Sequence, residues 1–531
     1  MVNEHYLISK KSNNYYTSYN SYKIFYKSIR GIIMTKKIIV IGGGIAGLTS
    51  GIYGLKAGYE VSIYEKNNIV GGECTGWDRK GYHIDNCIHW MMGTTKGTDL
   101  YDIWKTVGAV GDHVEIIRNN NMYTSTLNNQ SITLWDDIEK TERELIELSK
   151  EDEEEIKKLI KNVKLSMNVE IPADKAMEFK GPLELIKMMK TQKNTLKIFK
   201  EYENEDTQDL MNKFKHPLIK CMLSDFCPKE SGALSFPMAY GNFVGGDGGV
   251  PRGGSRAMAL RMENKFKELG GQIYTNSSVK KIIIEGNLAK GIVLDNEKEI
   301  YGDYIILSCD TDYTFNALLD KPYMDPILRN MYEREDDYLI YGMFQVAYAI
   351  DSKEDLLGGE IILDCSDIKI APWMGDRMTI KTYAYEPSFA PEGKQILQVL
   401  LPLDVKAYDY WMSLYKNKEE YNNKKEELAN ILLKKIEASY EGYKGRMEIL
   451  DSWTPVTYKR YCNAYKGYNQ AFIMSKRADK KAYPSAYVKN LDNVILCGQW
   501  INPPGGVCGA AITGKFAIQR ILKKEKKDIN I

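Results

Sequence analysis

The sequence lacks the features that mark several large classes of protein. No run of apolar residues approaches the ~18 that a membrane-spanning helix needs. Positive and negative side chains nearly balance, with 72 Lys and Arg against 71 Asp and Glu. There is therefore no overall basic field of the kind that binds nucleic acid. Hydrophobic residues make up 44% of the chain, which is typical of a globular protein and excludes a disordered or collagenous one.

The cysteines are scattered. There are nine of them, an odd number, and they form no CxxC pair. This spacing argues against a disulfide scaffold, a zinc site and a dithiol redox centre. We therefore expect no metal site and a location in a reducing cytoplasm.

The first 33 residues differ from the rest of the chain. They contain six tyrosines in a polar stretch, without the apolar region of a secretory signal. Met34 stands just before a strongly apolar segment, so we expect it to be the native start, with residues 1–33 a mis-called extension. A disordered tail is the alternative. The 531 residues as a whole are enough for two to four structural units.

A complete βαβ pattern follows Met34. Residues 37–41 form a short, β-branched apolar run of the kind that is buried on both faces of a parallel sheet. A GxGxxG motif occupies positions 42–47, and a helical pattern and a second strand over 60–64 come next. With both strands and the helix in place, the motif predicts a dinucleotide-binding turn.

Each part of this unit has a physical role in holding a dinucleotide. Gly42 permits the tight turn, Gly44 lets the backbone approach a pyrophosphate, and Gly47 allows the helix to pack closely on the strand. The helix N-terminus presents free N–H groups to the phosphates. Glu65, 18 residues after Gly47, can accept hydrogen bonds from the ribose hydroxyls of an adenosine.

Later glycine-rich segments favour FAD over NAD. The pair Gly71-Gly72 lies beyond the second strand, where a plain NAD domain needs no such pair. Near the C-terminus, a predicted buried strand over 493–498 is followed by a glycine-rich turn over 502–509 and then by a predicted helix. Such a turn can donate backbone N–H groups to a flavin ring. No second strand–GxGxxG–helix unit is present for NAD(P)H, because the glycine-rich stretch 245–249 follows no strand and is interpreted as a loop.

In their order and spacing these segments resemble the phytoene desaturase-like FAD oxidoreductases, a family that also includes carotenoid isomerases and retinol saturases. The resemblance covers most of residues 34–527 and implies FAD as the cofactor. The residues that it implies in FAD contact are Gly42, Gly44, Ala46, Gly47, Glu65, Lys66, Gly71, Gly72, Val279, Gly498, Gly505, Gly506 and Val507.

The sequence departs from the family pattern at two places. Glu73 stands where carotenoid desaturases usually have an arginine after the glycine pair. Asn502, Pro504 and Cys508 replace the His, Gly and Pro of the family's terminal motif. These contacts to FAD are mostly made by backbone, so the changes leave FAD binding intact but weigh against desaturation of a carotenoid.

The resemblance implies an α/β fold, with a Rossmann-like FAD-binding domain of the glutathione reductase type and an inserted α+β substrate domain. We assign residues 34–129, 236–312 and 491–527 to the discontinuous FAD-binding domain. Residues 130–235 and 313–490 are assigned to the substrate or cap domain.

His89 is the candidate catalytic residue. It lies in the segment 81–90, which in the resembled family passes close to the flavin. A histidine there can orient substrate or transfer a proton near neutral pH. A hydrogen-bonded structural histidine is one alternative, and a covalent flavin link through Cys87 or His89 is another.

The stretch 183–200 repeats lysines every three or four residues beside apolar residues. This pattern predicts a basic amphipathic helix, a form that can lie on an anionic membrane. Peripheral membrane contact of a cytoplasmic protein is one expectation. The alternative is a cap-domain helix whose apolar face packs inward.

The resemblance implies an FAD-dependent desaturase or saturase that acts on CH–CH bonds of a hydrophobic polyene or isoprenoid-like substrate, by hydride transfer at flavin N5. The electron donor or acceptor is open, with NAD(P)H and a quinone as candidates, and no nucleic acid partner is expected. The alternatives are a flavin-dependent cis/trans isomerase of the same family, an amine oxidase-like flavoenzyme and a flavoprotein without catalytic activity.

Overall fold

The computed structural model describes residues 35–531 apart from 353, 369–371, 373 and 480–482. The expectations for residues 1–33 and for Met34 as the start lie outside the described residues. Within the described part of the chain, no helix is both long enough and apolar enough to span a bilayer.

The described chain contains both helices and strands, with a run of seven consecutive helices from residue 138 to residue 244. Up to residue 251 they are β1 (Lys37–Ile41), α1 (Ile45–Lys56), β2 (Glu60–Tyr64), β3 (Gly76–Arg79), β4 (Tyr82–Asp85), α2 (Asp99–Thr106), β5 (Ile116–Ile117), β6 (Asn121–Leu127), β7 (Gln130–Trp135), α3 (Ile138–Leu148), α4 (Glu153–Ser166), α5 (Pro182–Thr191), α6 (Lys193–Tyr202), α7 (Thr207–Asn212), α8 (Pro217–Phe226), α9 (Ser235–Val244) and β8 (Val250–Pro251). Up to residue 364 they are α10 (Gly254–Glu268), β9 (Gln272–Tyr274), β10 (Val279–Glu285), β11 (Leu288–Leu294), β12 (Glu299–Tyr301), β13 (Tyr304–Leu307), α11 (Thr311–Tyr313), α12 (Pro326–Glu333), β14 (Tyr338–Leu339), β15 (Tyr341–Ile350) and β16 (Glu360–Asp364). The remaining ones are β17 (Arg377–Thr382), β18 (Gln395–Asp404), α13 (Ala407–Tyr415), α14 (Lys418–Ser439), β19 (Met447–Trp453), α15 (Pro455–Cys462), β20 (Ile473–Met474), β21 (Val494–Leu496) and α16 (Gly506–Lys524).

A five-stranded parallel sheet forms the dinucleotide-binding part of the fold. Its strand order is β21-β13-β1-β2-β9, so β1 lies at the centre. Ile38 and Val40 of β1 pack into the core beneath α1 and α16. Ile39 and Ile41 point to the opposite core, which contains the hairpin of β10 and β11. This burial on both faces explains the continuous apolar run in the sequence, and the predicted α/β fold with a Rossmann-like domain is confirmed.

The unit that we predict to hold substrate, which we call the substrate unit, is built on a seven-stranded sheet in the order β19-β15-β18-β17-β16-β6-β7. All its pairings are antiparallel except the one between β16 and β6. One face packs against α13 and α14, where Phe344 stacks on Trp411 with ring centroids 5.5 Å apart. The other part of this unit is a cluster of helices that includes α3, α4, α8 and α9.

Two boundaries assigned from the sequence, which stay predictions, fall inside elements of the structure. The boundary between residues 129 and 130 falls inside the hairpin of β6 and β7, and β6 pairs with β16 at Thr124 and Ile361. The boundary at residue 236 falls inside α9, whose Tyr240 hydroxyl donates to the Trp135 carbonyl at 2.7 Å. The hairpin of β6 and β7 and the helix α9 therefore pack with the substrate unit. Local sequence patterns do not encode this packing, because it depends on pairing between segments far apart in the chain.

The predicted basic helix over 183–200 is corrected. The structure has two helices there, α5 and α6, separated at Gln192. The glycine-rich stretch 245–249 follows a helix and contains no strand, as predicted.

Helices α1 and α16 cross in close contact above the parallel sheet. Gly514 makes this contact possible, since a Cβ atom there would lie 2.6 Å from the Ala46 carbonyl oxygen. The contact matters for function because both helices begin near the carboxyl edge of the sheet.

We expect the substitution Gly514→Ala to lower the free energy of unfolding by roughly 1–3 kcal/mol, because the added methyl group must displace helix backbone. Thermal unfolding followed by circular dichroism would show this as a lower Tm. Gly232→Ala is the matched control, since a Cβ atom there meets no atom within 4 Å. An unchanged Tm for Gly514→Ala would contradict the close packing.

Candidate functional site

The main cavity of the described structure lies at the carboxyl edge of the parallel sheet, where ligands of open α/β sheets usually bind. Most of the residues expected from the sequence to contact FAD line this one cavity. They are Gly42, Gly44, Ala46, Glu65, Lys66, Gly71, Gly72, Val279, Gly498, Gly506 and Val507.

Two glycine segments face each other across the floor of the cavity. The Gly71 amide donates to the Gly43 carbonyl at 2.9 Å, and Gly44 and Gly71 form a parallel bridge. A Cβ atom on Gly72 would lie 3.4 Å from the Gly44 Cα atom. The N-terminus of α1 opens beside this contact with no side-chain cap and no acidic residue in its first turn. The arrangement leaves N–H groups available to an anionic ligand.

Gly47 and Gly505 determine the shape of two turns beside the cavity, the turn after β1 and the turn before α16. A Cβ atom on Gly47 would lie 2.0 Å from the Gly42 carbonyl oxygen, so the helix could not approach the turn. Gly505 has a φ of +81°, which an L side chain rarely adopts. These two residues act through packing and backbone conformation.

Glu65 and Lys66 organise the end of the cavity that follows β2. The Glu65 carboxylate accepts from the amides of Gly43 and Asn67, each at 2.8 Å. The Lys66 ammonium donates to the Asn463 side-chain oxygen at 2.7 Å, and burial lowers the pKa of Lys66. Lys66 therefore ties the dinucleotide-binding part to the substrate unit.

The N-terminus of α16 forms the opposite wall. The Gly498 amide donates to the Thr513 hydroxyl at 2.9 Å, which fixes the strand end against the helix. The Gln499 side-chain oxygen accepts from the Gly506 amide at 3.2 Å, and its Nε2 atom donates to the Glu73 carboxyl group at 3.3 Å. Gln499 thus connects the C-terminal turn to the loop after the first glycine pair.

Glu73 and Asp310 are carboxyl groups that hold protons near neutral pH. Burial, reinforced by the nearby Asp310, raises the pKa of Glu73 to about 8. Burial also raises the pKa of Asp310 to about 7, although it accepts from the Tyr465 amide at 2.8 Å. The sequence marked Glu73 only as a departure from the family pattern, and its burial could not be read from neighbouring residues.

His89 is not one of the residues that line the cavity, but it follows the lining residue Cys87 by two positions. The His89 Nδ1 atom is 3.1 Å from a carboxylate oxygen of Glu360 in the substrate sheet. Burial would raise the pKa of Glu360, but the His89 and Lys381 charges outweigh it and the pKa is lowered. Lys381 is buried, which lowers its pKa, and it donates to the Ile88 carbonyl at 3.2 Å.

Sequence reasoning missed the part of the wall that comes from the substrate unit. Tyr461, Cys462, Asn463 and Asn469 line the cavity from the region that follows α15 and from its end. These residues belong to no glycine motif and to no periodic apolar pattern, so the sequence does not mark them. Tertiary contact alone brings them to the site. Among the described residues, no group of three or more His, Cys, Asp or Glu side chains could hold a metal ion.

Comparisons with known proteins agree with this geometry. Residues 40–107 match the model of an NAD(P)-binding Rossmann-like domain. A 4,4'-diapophytoene desaturase of a Methylomonas species is 22% identical over 93% of this chain and 97% of its own length. A 4,4'-diaponeurosporene oxygenase of Staphylococcus aureus is 23% identical over 93% and 100%. A chloroplastic prolycopene isomerase of Daucus carota is 25% identical over 91% and 79%.

Solved structures support the same fold. An oxidoreductase from Methanosarcina mazei superposes with a TM-score of 0.56 at 18% identity, over 91% of this chain and all of the other. A putrescine oxidase variant superposes with a TM-score of 0.59 at 15% identity, over 92% and 99%. With a cavity at the edge of its parallel sheet and enzyme relatives along nine-tenths of its length, the chain resembles the phytoene desaturase, carotenoid isomerase and retinol saturase-like family of oxidoreductases.

Proposed function

We propose that the protein binds FAD and acts on a CH–CH bond of a hydrophobic polyene or isoprenoid-like molecule. The observation that carries this proposal is the glycine-lined cavity between the N-termini of α1 and α16. The relatives named as a desaturase, an oxygenase and an isomerase support a polyene as the substrate class.

The residues present fit FAD. The closely spaced glycines of the cavity floor leave room for a pyrophosphate beside the open end of α1, because side chains there would fill the space. Glu65 would hold the ribose of the adenosine, and the N-terminal turn of α16, with Gly506 and Val507, would hold the ring. Bound FAD supplies a two-electron hydride acceptor or donor.

The chain's own residues position the substrate and manage protons. Trp500 and Tyr461 supply aromatic surface in the cavity wall. A Glu360 carboxylate oxygen lies 3.1 Å from the His89 Nδ1 atom, and this contact fixes the orientation of the imidazole ring. We propose that His89 orients the substrate or transfers a proton at the boundary of the two units, with Lys381 and Glu360 as its positioning residues.

A cis/trans isomerase is the second candidate, because the prolycopene isomerase aligns with 91% of this chain. The same cavity and the same cofactor would serve both reactions. The two functions differ only in whether the product gains or loses hydrogen.

We expect protein purified with FAD to show an oxidised flavin spectrum, and a polyene product to differ from its substrate by two hydrogens. The first measurement is the visible spectrum under anaerobic conditions, before and after NADPH. Bleaching would indicate NADPH as donor and a saturase direction, and an unchanged spectrum would shift the test to quinone acceptors and a desaturase. Mass spectrometry of the product then separates the candidates.

Three outcomes of that experiment are decisive. A product of unchanged mass and altered geometry would replace the redox reaction with isomerisation. A flavin that no donor reduces would indicate a flavoprotein without catalytic activity. Folded protein that takes up no FAD would refute the proposal.

We expect FAD to bind more weakly as the pH rises through 8 in the wild-type protein but not in Glu73→Gln. Glu73 is neutral below its pKa of about 8 and becomes an anion beside the cofactor diphosphate above it. At the limit the apparent Kd would rise roughly tenfold per pH unit. Quenching of FAD fluorescence on titration with cofactor-free protein measures the Kd.

The control for this titration is Glu170→Gln, at an exposed position, which should keep the wild-type pH profile. Ionisation of Asp310 near pH 7 is common to all three proteins and occurs at lower pH. A Glu73→Gln profile that matches the wild type above pH 8 would show that the Glu73 proton has no part in FAD binding.

We also propose that α5 and α6 contact an anionic membrane from which an apolar substrate is taken. Large apolar side chains lie exposed on these helices, with Leu183 82% and Met189 59% exposed. Ile186, Leu196 and Phe199 are also exposed. The exposed lysines beside them are Lys187, Lys190, Lys193, Lys197 and Lys200. Apolar side chains ringed by lysines match the acyl and headgroup layers of an anionic bilayer.

We expect the triple substitution of Lys190, Lys193 and Lys197 by glutamate to abolish binding to vesicles that contain phosphatidylserine. The loss follows from replacing attraction by repulsion at the lipid surface. Co-sedimentation with vesicles measures binding. Lys56, Lys298 and Lys434 are exposed lysines elsewhere, and their replacement by glutamate is the matched control. Vesicle binding that persists in the first variant, or is absent in the wild type, would refute the membrane proposal.

A further inference from the structure

Two cysteines are brought opposite each other by the hairpin of β3 and β4. In this hairpin Gly76 pairs with Asp85 and Trp77 with Ile84. The Asn86 amide donates to the Thr75 carbonyl at 3.0 Å, which carries the pairing one step beyond the strands. The same register continued one further step sets Cys74 opposite Cys87.

This juxtaposition suits a disulfide bond. Residues opposite each other in an antiparallel pair have Cα atoms about 4.5–5.5 Å apart, and a disulfide spans about 4.4–6.8 Å between Cα atoms. Opposite residues of an antiparallel pair place their side chains on the same side of the hairpin, so the continued register sets both thiols on one side. Interaction with the Cys87 thiol, together with burial, raises the pKa of Cys74.

The two thiols differ in access. Cys74 is buried, and its thiol also contacts the Ser255 carbonyl oxygen at 3.7 Å. Cys87 is half-buried, and its amide donates to a carboxylate oxygen of Asp85 at 3.3 Å. Both residues line the main cavity. Thiol–disulfide exchange needs one thiol that can reach an external disulfide and a second thiol that then displaces the mixed disulfide. The more exposed Cys87 and the buried Cys74 match these two roles.

We propose that Cys74 and Cys87 form a redox-active pair in the cavity wall that closes reversibly to a disulfide by exchange with a low-molecular-weight disulfide. The Cys87 thiolate attacks the small disulfide, forms a mixed disulfide and releases one thiol. Cys74 then loses its proton, attacks the Cys87 sulfur and releases the second thiol. Two protein thiols are oxidised and one small disulfide is reduced to two thiols.

The pair stores two electrons, the number that a hydride transfer moves. Its closure would tie the loop after the glycine pair to the segment that leads to His89. The sequence argued against a dithiol centre because it holds no CxxC motif. Here a hairpin, and not a short loop, brings the thiols together. The inference stands on thiol geometry and does not depend on the identity of the cofactor or substrate.

The test is a thiol titration of the full-length protein equilibrated anaerobically in buffers of reduced and oxidised glutathione. We expect the count of alkylatable cysteines, measured after denaturation, to fall by two from nine in one transition that dithiothreitol reverses. Peptide mapping without reduction should recover a Cys74–Cys87 cross-link. The substitutions Cys74→Ser and Cys87→Ser should each remove the two-electron transition, whereas Cys221→Ser, in α8, should retain it.

The wild-type protein alone can overturn the inference, so variants that fold poorly do not obscure the result. Nine alkylatable thiols at every glutathione ratio would refute it, as would a cross-link between other cysteines. A transition that persists in Cys87→Ser would also refute it. Because the titration is run on cofactor-free and on FAD-loaded protein, failure of FAD binding remains distinguishable from failure of the thiol pair.

Discussion

The close contact between two glycine segments is the constraint on which the site depends. The hydrogen bond from the Gly71 amide to the Gly43 carbonyl, 2.9 Å long, joins the turn after β1 to the loop after β2. A Cβ atom on Gly71 would lie 2.4 Å from the Cys74 carbonyl oxygen of its own loop, and one on Gly72 would lie 3.4 Å from the Gly44 Cα atom of the facing turn. The absence of side chains therefore brings two backbones together and leaves a groove in front of the α1 N-terminus.

The substrate unit turns this groove into a partly open cavity by adding a second wall. It reaches the dinucleotide-binding part through hydrogen bonds such as those of Lys66 with Asn463 and of Lys381 with the Ile88 carbonyl. Burial away from water raises the pKa values of Glu73, which lines the cavity, and of Asp310, which follows the lining residue Cys309. The cavity wall therefore carries one carboxyl group, that of Glu73, that keeps its proton at neutral pH.

The hairpin of β3 and β4 joins several features that the sequence keeps apart. Its two ends hold Cys74 and Cys87, and Asp85 at the end of β4 accepts from the Ser255 amide at 2.6 Å. The chain then passes directly to His89, which meets Glu360 of the substrate sheet. One short hairpin thus connects the glycine loop, the start of α10 and the boundary between the two units.

The sequence by itself determined the parallel sheet and the glycine turns. Residues 37–41 and the motif at 42–47 act over short range, through strand burial and the backbone freedom of glycine. Only the tertiary structure decided the pairing of β6 with β16, the substrate-side wall at Tyr461 and the contact of His89 with Glu360. These depend on segments far apart in the chain, and a side chain's burial, charge state and partner follow from packing that no local pattern contains.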